Sequence, residues 1–115
     1  MYDLEERTEK LAIEVRNFIK ILPKTISNLE DGKQLVRSSG SIGANYIEAN
    51  ESLSRKDFAM RIKISRKEAK ELMYWLNIIH KSNILDEQTN AKCEFLIKET
   101  SEIRKILSAI LKKFI

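Results

Sequence analysis

Only three glycines, one proline, one cysteine, one histidine and one tryptophan occur in 115 residues. So few chain breakers leave room for long helices and few turns. The lone Cys93 excludes an internal disulfide framework and suits a reducing compartment, so a cytoplasmic location is expected. No apolar run approaches the ~18 residues that cross a bilayer, and no membrane partner is expected. The opening MYDLEERTEK is acidic and polar, unlike the apolar heart of a secretion signal. Convergent reactive groups are also scarce. A di-iron bundle would show Glu-x-x-His on two helices, but Asn77 stands three positions before His80. No HExxH, no CxxC and no phosphate-cradling glycine loop occurs. The expectation is a chain without catalytic residues, metal or cofactor. His80 reads as structural or solvated, and Cys93 as a small buried hydrophobe.

What is present is helical rhythm. Hydrophobic content of 43% and charged content of 33% describe a globular chain of one domain, residues 1–115. Phe58, Ile62, Ser65, Ala69, Leu72, Leu76 and Ile79 alternate four and three apart, an unbroken heptad seam. Leu96, Thr100, Ile103, Leu107, Ile110 and Phe114 repeat the rule. Leu4, Leu11, Val15, Phe18 and Leu22 form a third stripe, closed by Pro23. Asp3 with Glu6, Ser54 with Asp57, and Asp86 are start signals. The second stretch is a helix from about Thr25 or Asp31 to about Glu51, with Leu35, Ser39, Ile42, Tyr46, Ala49 and Leu53 on one face. Four helices with short connections predict an all-α, left-handed, antiparallel up-down-up-down four-helix bundle.

The second stretch contains SIGANYIEAN, residues 41–50, where glycine costs roughly 1 kcal/mol of helix propensity against alanine. Ser39 and Gly43 are four apart, and Gly40 and Ala44 form a second small pair beside them. Such pairs predict close approach of another helix. Ser41, Asn45 and Glu48 share a different arc with Gln34 and Arg37. They read either as a solvated face or as a polar seam against another helix or subunit.

Charge is uneven. The net charge is +4, yet residues 54–83 alone carry eight basic and three acidic side chains. Lys56, Lys63, Arg66, Lys67 and Lys70 lie opposite the third helix's seam, with Arg55 at one side, and form the candidate nucleic-acid-binding arc. Glu68 and Glu71 read as surface partners of the lysines around them. Met60, Ile64, Trp75 and Ile78 occupy the remaining flank, so this helix is expected to be buried on two sides and to bring copies of the chain together.

The stretch QLVRSSGSIGANYIEANESLSRKDFAMRIKISRKEAKELMYWL, residues 34–76, resembles the central block of the four-helix-bundle proteins encoded in intervening sequences of bacterial 23S ribosomal RNA genes. The likeness lies in the small-residue run, Ser41-Ile42, Asn45, Glu48-Ala49, a polar turn, Asp57-Phe58, and then Ala69, Glu71 and Leu72. The resemblance implies a homo-oligomeric bundle, typically a ring of five subunits in a related branch. That branch resembles accessory proteins of retroelements, whose basic rings bind nucleic acid and a reverse transcriptase. The expected function is therefore a non-catalytic, homo-oligomeric scaffold, a pentamer, binding RNA or DNA through the third helix. The alternative is an interaction module whose basic stripe meets an acidic protein.

Overall fold

The computed structural model describes residues 3–114 as four helices. These are α1 (Leu4–Ile21), α2 (Ile26–Asn50), α3 (Arg55–Ser82) and α4 (Glu87–Lys112). Each begins at a side-chain cap, because the first backbone N–H groups of a helix have no partner within it. The Asp3 carboxylate accepts from the Glu6 N–H at 3.1 Å and the Thr25 hydroxyl from that of Asn28 at 3.1 Å. Ser54 accepts from Asp57 at 3.1 Å and Asp86 from Thr89 at 2.7 Å. Thr25 therefore starts α2, and Gly32 lies inside the helix, where a Cβ would meet only ordinary contact with Ile19 at 3.7 Å.

Side-chain contacts establish that the helices alternate in direction. Along α1 and α2, Thr8 faces Gly43 and Ile19 faces Gly32. Along α2 and α3, Asn28 bonds Asn83, Arg37 meets Glu68, the Ser65 hydroxyl donates to the Ile42 carbonyl, and Arg61 reaches Asn45. Along α3 and α4, Phe58 touches Phe114 while His80 lies by Glu94. In every pair one number rises as the other falls. Arg7 of α1 closes the ring of neighbours through Glu99 of α4 at 2.7 Å. At 1.5 Å per residue the 28 residues of α3 span about 42 Å, close to the bundle's 46 Å long dimension.

The seams meet along the axis. Val15, Leu35, Ile42, Ile62, Leu72, Leu76, Ile79, Ile103 and Leu107 are fully enclosed. Each such side chain contributes about 1.5–3 kcal/mol relative to exposure. The heptad reading overruns at two ends. Leu53 does not extend α2: the helix stops at Asn50, and Leu53 is fully exposed in the turn before α3. Phe114 lies beyond the end of α4 and is 37% exposed, while Leu111 takes the buried position expected of Ile110. Cys93 is fully buried, and burial pushes its thiol up to about 11.

The glycines of the 41–50 region and its approach divide cleanly. A Cβ on Gly43 would lie 2.6 Å from Thr8 Oγ1 and 3.1 Å from Thr8 Cβ. Thr8 is buried, and its hydroxyl is held by the Leu4 carbonyl at 2.6 Å, so it has little room to turn aside. Gly40 is different: its nearest neighbour would be the Arg16 guanidinium at 3.8 Å. Close helix approach is therefore a property of Gly43 and not of Gly40. Ala44 is exposed, and Ser39 is buried in the core. Gly43→Ala should lower stability by about 1–3 kcal/mol despite better helix propensity, and Thr8→Ala in the same chain should restore part of it. Gly40→Ala should raise stability by up to about 1 kcal/mol. Urea midpoints for the three variants check this, and equal shifts at Gly40 and Gly43 would contradict it.

Candidate nucleic-acid interface

The outer face of α3 is shaped by where its carboxylates go. On an isolated helix, Glu68 and Glu71 would lie within reach of neighbouring lysines. Here they turn to α2. Arg37 Nη1 stands 3.2 Å from Glu68 Oε1 and 3.4 Å from Oε2, and its Nη2 bonds Glu71 Oε1. The expected pairing with lysines on α3 is therefore overturned. Glu68 is only 8% exposed, and its Oε1 makes no well-aligned hydrogen bond among the described residues. A carboxylate at that depth needs a cation beside it, and Arg37 is that cation. The Arg37 hydrogen bond holds the Glu71 carboxyl below the ordinary carboxylate range, against an opposing effect of burial. The Trp75 indole N–H also points to Glu71 Oε1, at 3.5 Å.

The α2–α3 boundary continues this polar line. Asn45 donates to the Ser41 carbonyl at 2.8 Å and accepts from Arg61 at 3.2 Å. The Ser41 hydroxyl stays within its own helix, donating to the Arg37 carbonyl at 2.8 Å. Glu48 is exposed. Of the expected polar arc, then, Arg37 and Asn45 reach α3, Ser41 contributes only through its backbone, and Glu48 lies outside. Ser65, read in the sequence as a seam residue, belongs to the same boundary, as do Asn28, Arg61 and Asn83, which sequence spacing alone did not single out.

With Glu68 and Glu71 drawn to Arg37, the basic arc keeps one carboxylate beside it, Asp57 in the cleft with Lys56 and Lys63. Lys56, Lys63, Lys67 and Lys70 are exposed and Arg66 is half-buried. Among the described residues none of the five forms an ion pair within 4 Å. On the flank, Met60 is 50% exposed, while Ile64, Trp75 and Ile78 are half-buried. Trp75 packs against the core, so the bundle itself supplies part of the cover this flank needs. Tyr74, 59% exposed, stands edge-on to Trp75 with ring centroids 5.1 Å apart. Sequence reasoning placed Arg55 beside the arc and Phe114 in the core, and did not include Lys113. All three line one cleft with Lys56 and Lys63 at an end of the bundle.

Other chemistry is sparse. His80 is half-buried, with Nε2 3.7 Å from Glu94 Oε2. No group of three or more His, Cys, Asp or Glu that could hold a metal ion occurs among the described residues. No helix among them is long and apolar enough to cross a membrane.

The family model described as 23S rRNA-intervening sequence protein matches residues 2–109. A solved structure from Bacteroides thetaiotaomicron, a protein with unknown function from the S23 ribosomal protein family, is similar at 30% identity with a TM-score of 0.79. The match covers 94% of this chain and 97% of that one. No curated protein matches the chain.

The ion pairs make stability pH-dependent with a definite sign. The Glu71 carboxyl is held down by Arg37 and the Glu99 carboxyl by Arg7, chiefly through hydrogen bonds. A depressed carboxyl contributes stability above its unfolded pKa and loses it as pH falls through the folded value. Arg37→Met should therefore lower the urea midpoint near neutral pH, by about 1 kcal/mol given how exposed the arginine is. The deficit should narrow as the pH falls below the ordinary carboxylate range and through the depressed value of Glu71, where the carboxylate that Arg37 pairs with is lost. A deficit equal at neutral and at low pH would contradict the assignment.

Proposed function

The chain belongs to the 23S rRNA-intervening sequence protein family, and from that premise we propose that it is a non-catalytic, self-associating scaffold that holds a nucleic-acid backbone on the basic face of α3. One observation carries the reading. Four exposed lysines and Arg66 share a face on which two of the three α3 acids, Glu68 and Glu71, are engaged by another helix. Phosphates attract such a face without any base being read. One subunit neutralises about three or four phosphates, which is weak binding alone. A homo-oligomer repeats the face, and a polymer long enough to touch several copies gains avidity.

Self-association rests on apolar surface left open by the single chain, and a ring of five on the family resemblance. Met60 is half exposed, with Ile64, Trp75 and Ile78 partly covered, and Ile26, Leu29 and Ile47 stand out from α2. Such area contributes roughly 25 cal/mol per Å² when buried, before the costs of association. A cytoplasmic location fits the single buried thiol. The second reading, an acidic protein as partner, draws on the exposed Met60 and Tyr74 beside the lysines, since protein partners bury such side chains.

Light scattering should give several times the 13.4 kDa chain mass. Met60→Lys with Ile64→Lys should lower that mass while helical content persists. A wild-type monomer at micromolar concentration contradicts the assembly. In filter binding, retention of RNA or single-stranded DNA should fall with salt, with a log–log slope of roughly −0.7 to −0.9 per phosphate contacted. Lys63→Glu with Lys67→Glu should abolish retention and leave the thermal melt nearly unchanged. No retention by wild type at low salt would favour the acidic-protein reading, and equal retention by wild type and variant would move the site off α3.

A further inference from the structure

We propose that the cleft between the start of α3 and the end of α4 takes an unpaired base, so that the polymer held on α3 is single-stranded. This rests on the backbone-binding reading above and adds what that reading leaves open, the strand state of the nucleic acid. The cleft encloses about 750 Å³. Arg55, Lys56, Lys63 and Lys113 bring four cations to its walls, against one carboxylate, Asp57. Met60 and Phe114 supply its apolar surface.

The aromatic part sets this cleft apart from the rest of the basic face. The Phe58 and Phe114 ring centroids lie 4.7 Å apart with planes tilted by 42°. The Arg55 guanidinium carbon lies 5.2 Å from the Phe114 centroid. Phe114 thus lies against both Phe58 and Arg55, and Phe114 and Arg55 are exposed. Bases stack on aromatic rings and on guanidinium planes alike. Within the chain the aromatic pair and the Arg55–Phe114 contact fasten α3 to the end of the chain, and a nucleotide matches the exposed planes and the cations at once. Its phosphates meet the lysines and its base lies against the exposed Phe114 and Arg55. Lys63 belongs to the cleft and to the arc, so a strand lying along α3 reaches Phe114 without leaving the basic face. A duplex keeps its bases stacked on one another and offers only phosphates. An inorganic polyphosphate offers no ring.

Fluorescence anisotropy with three labelled polymers of equal length separates these cases: an oligothymidylate, an abasic oligonucleotide and a DNA duplex. The wild-type protein should bind oligothymidylate at least about fivefold more tightly than the abasic strand. The two strands should share one salt slope, because they carry the same phosphates. Phe114→Leu keeps an apolar side chain against Phe58 and should bring oligothymidylate down to the abasic level, leaving abasic binding unchanged. Phe114→Trp should retain the preference. Circular dichroism checks that both variants keep their helices, and the wild-type comparison needs no variant. Equal affinity of wild type for oligothymidylate and the abasic strand, tighter binding of the duplex, or an unaltered preference in Phe114→Leu would overturn the inference while leaving the basic face of α3 in place. Absence of binding to all three polymers would overturn both.

Discussion

Arg37 between Glu68 and Glu71 is the contact on which the rest of the molecule turns. It places a cation of α2 against two carboxylates of α3, one of them nearly enclosed. A carboxylate that far from water costs several kcal/mol unless a cation neutralises it and hydrogen bonds fill its lone pairs. Sliding α3 along α2 by one turn would leave Glu68 buried without Arg37. The Ser65–Ile42 and Arg61–Asn45 hydrogen bonds and the Asn28–Asn83 pair fail under the same shift. Leucines and isoleucines on heptad seams tolerate several offsets, and these polar pairs admit one.

The same contact acts on the outer surface. By drawing both carboxylates towards α2, it leaves the lysines of α3 without an ion pair to Glu68 or Glu71. A basic face that would otherwise cancel internally keeps its field. The bundle thus separates three tasks around one helix. Its inner seam builds the core, its α2 side carries the polar line, and its remaining surface stays cationic and partly apolar. The end of the bundle, where Phe114 and Arg55 stack, adds planar surface to that field.

Much of this was legible in the sequence, for reasons that can be named. The heptad spacings identified four helices, because apolar residues four and three apart can share a face only in a helix. Asp3, Ser54 and Asp86 marked three starts, because short polar side chains satisfy the orphan N–H groups. Thr25 was harder, since Gly32 offered a rival break. Its burial against Ile19 is a tertiary fact that local propensity does not carry. The overrun to Leu53 has a similar cause: periodicity continued across Glu51 with no glycine or proline to mark the end of α2. Gly43 and Gly40 look alike in the sequence, and only the presence of Thr8 on another helix separates them. Glu68 was misassigned because its near neighbours in sequence are lysines, while its partner lies 31 residues away. The cleft at the bundle's end needed the antiparallel arrangement before residues 55 and 114 could be seen as neighbours.

The most direct test of the account is a double-mutant cycle between Arg37→Met and Glu68→Gln, read from urea unfolding at neutral pH. If Arg37 neutralises the buried carboxylate, the two losses are not additive. The coupling should then be about 1 kcal/mol, most of the loss caused by Arg37→Met alone, since Glu68→Gln removes the charge that makes the loss of Arg37 costly. Additivity within about 0.3–0.5 kcal/mol would mean that Glu68 and Arg37 act independently. The register of α3 on α2 and the bareness of its basic face would then need another cause.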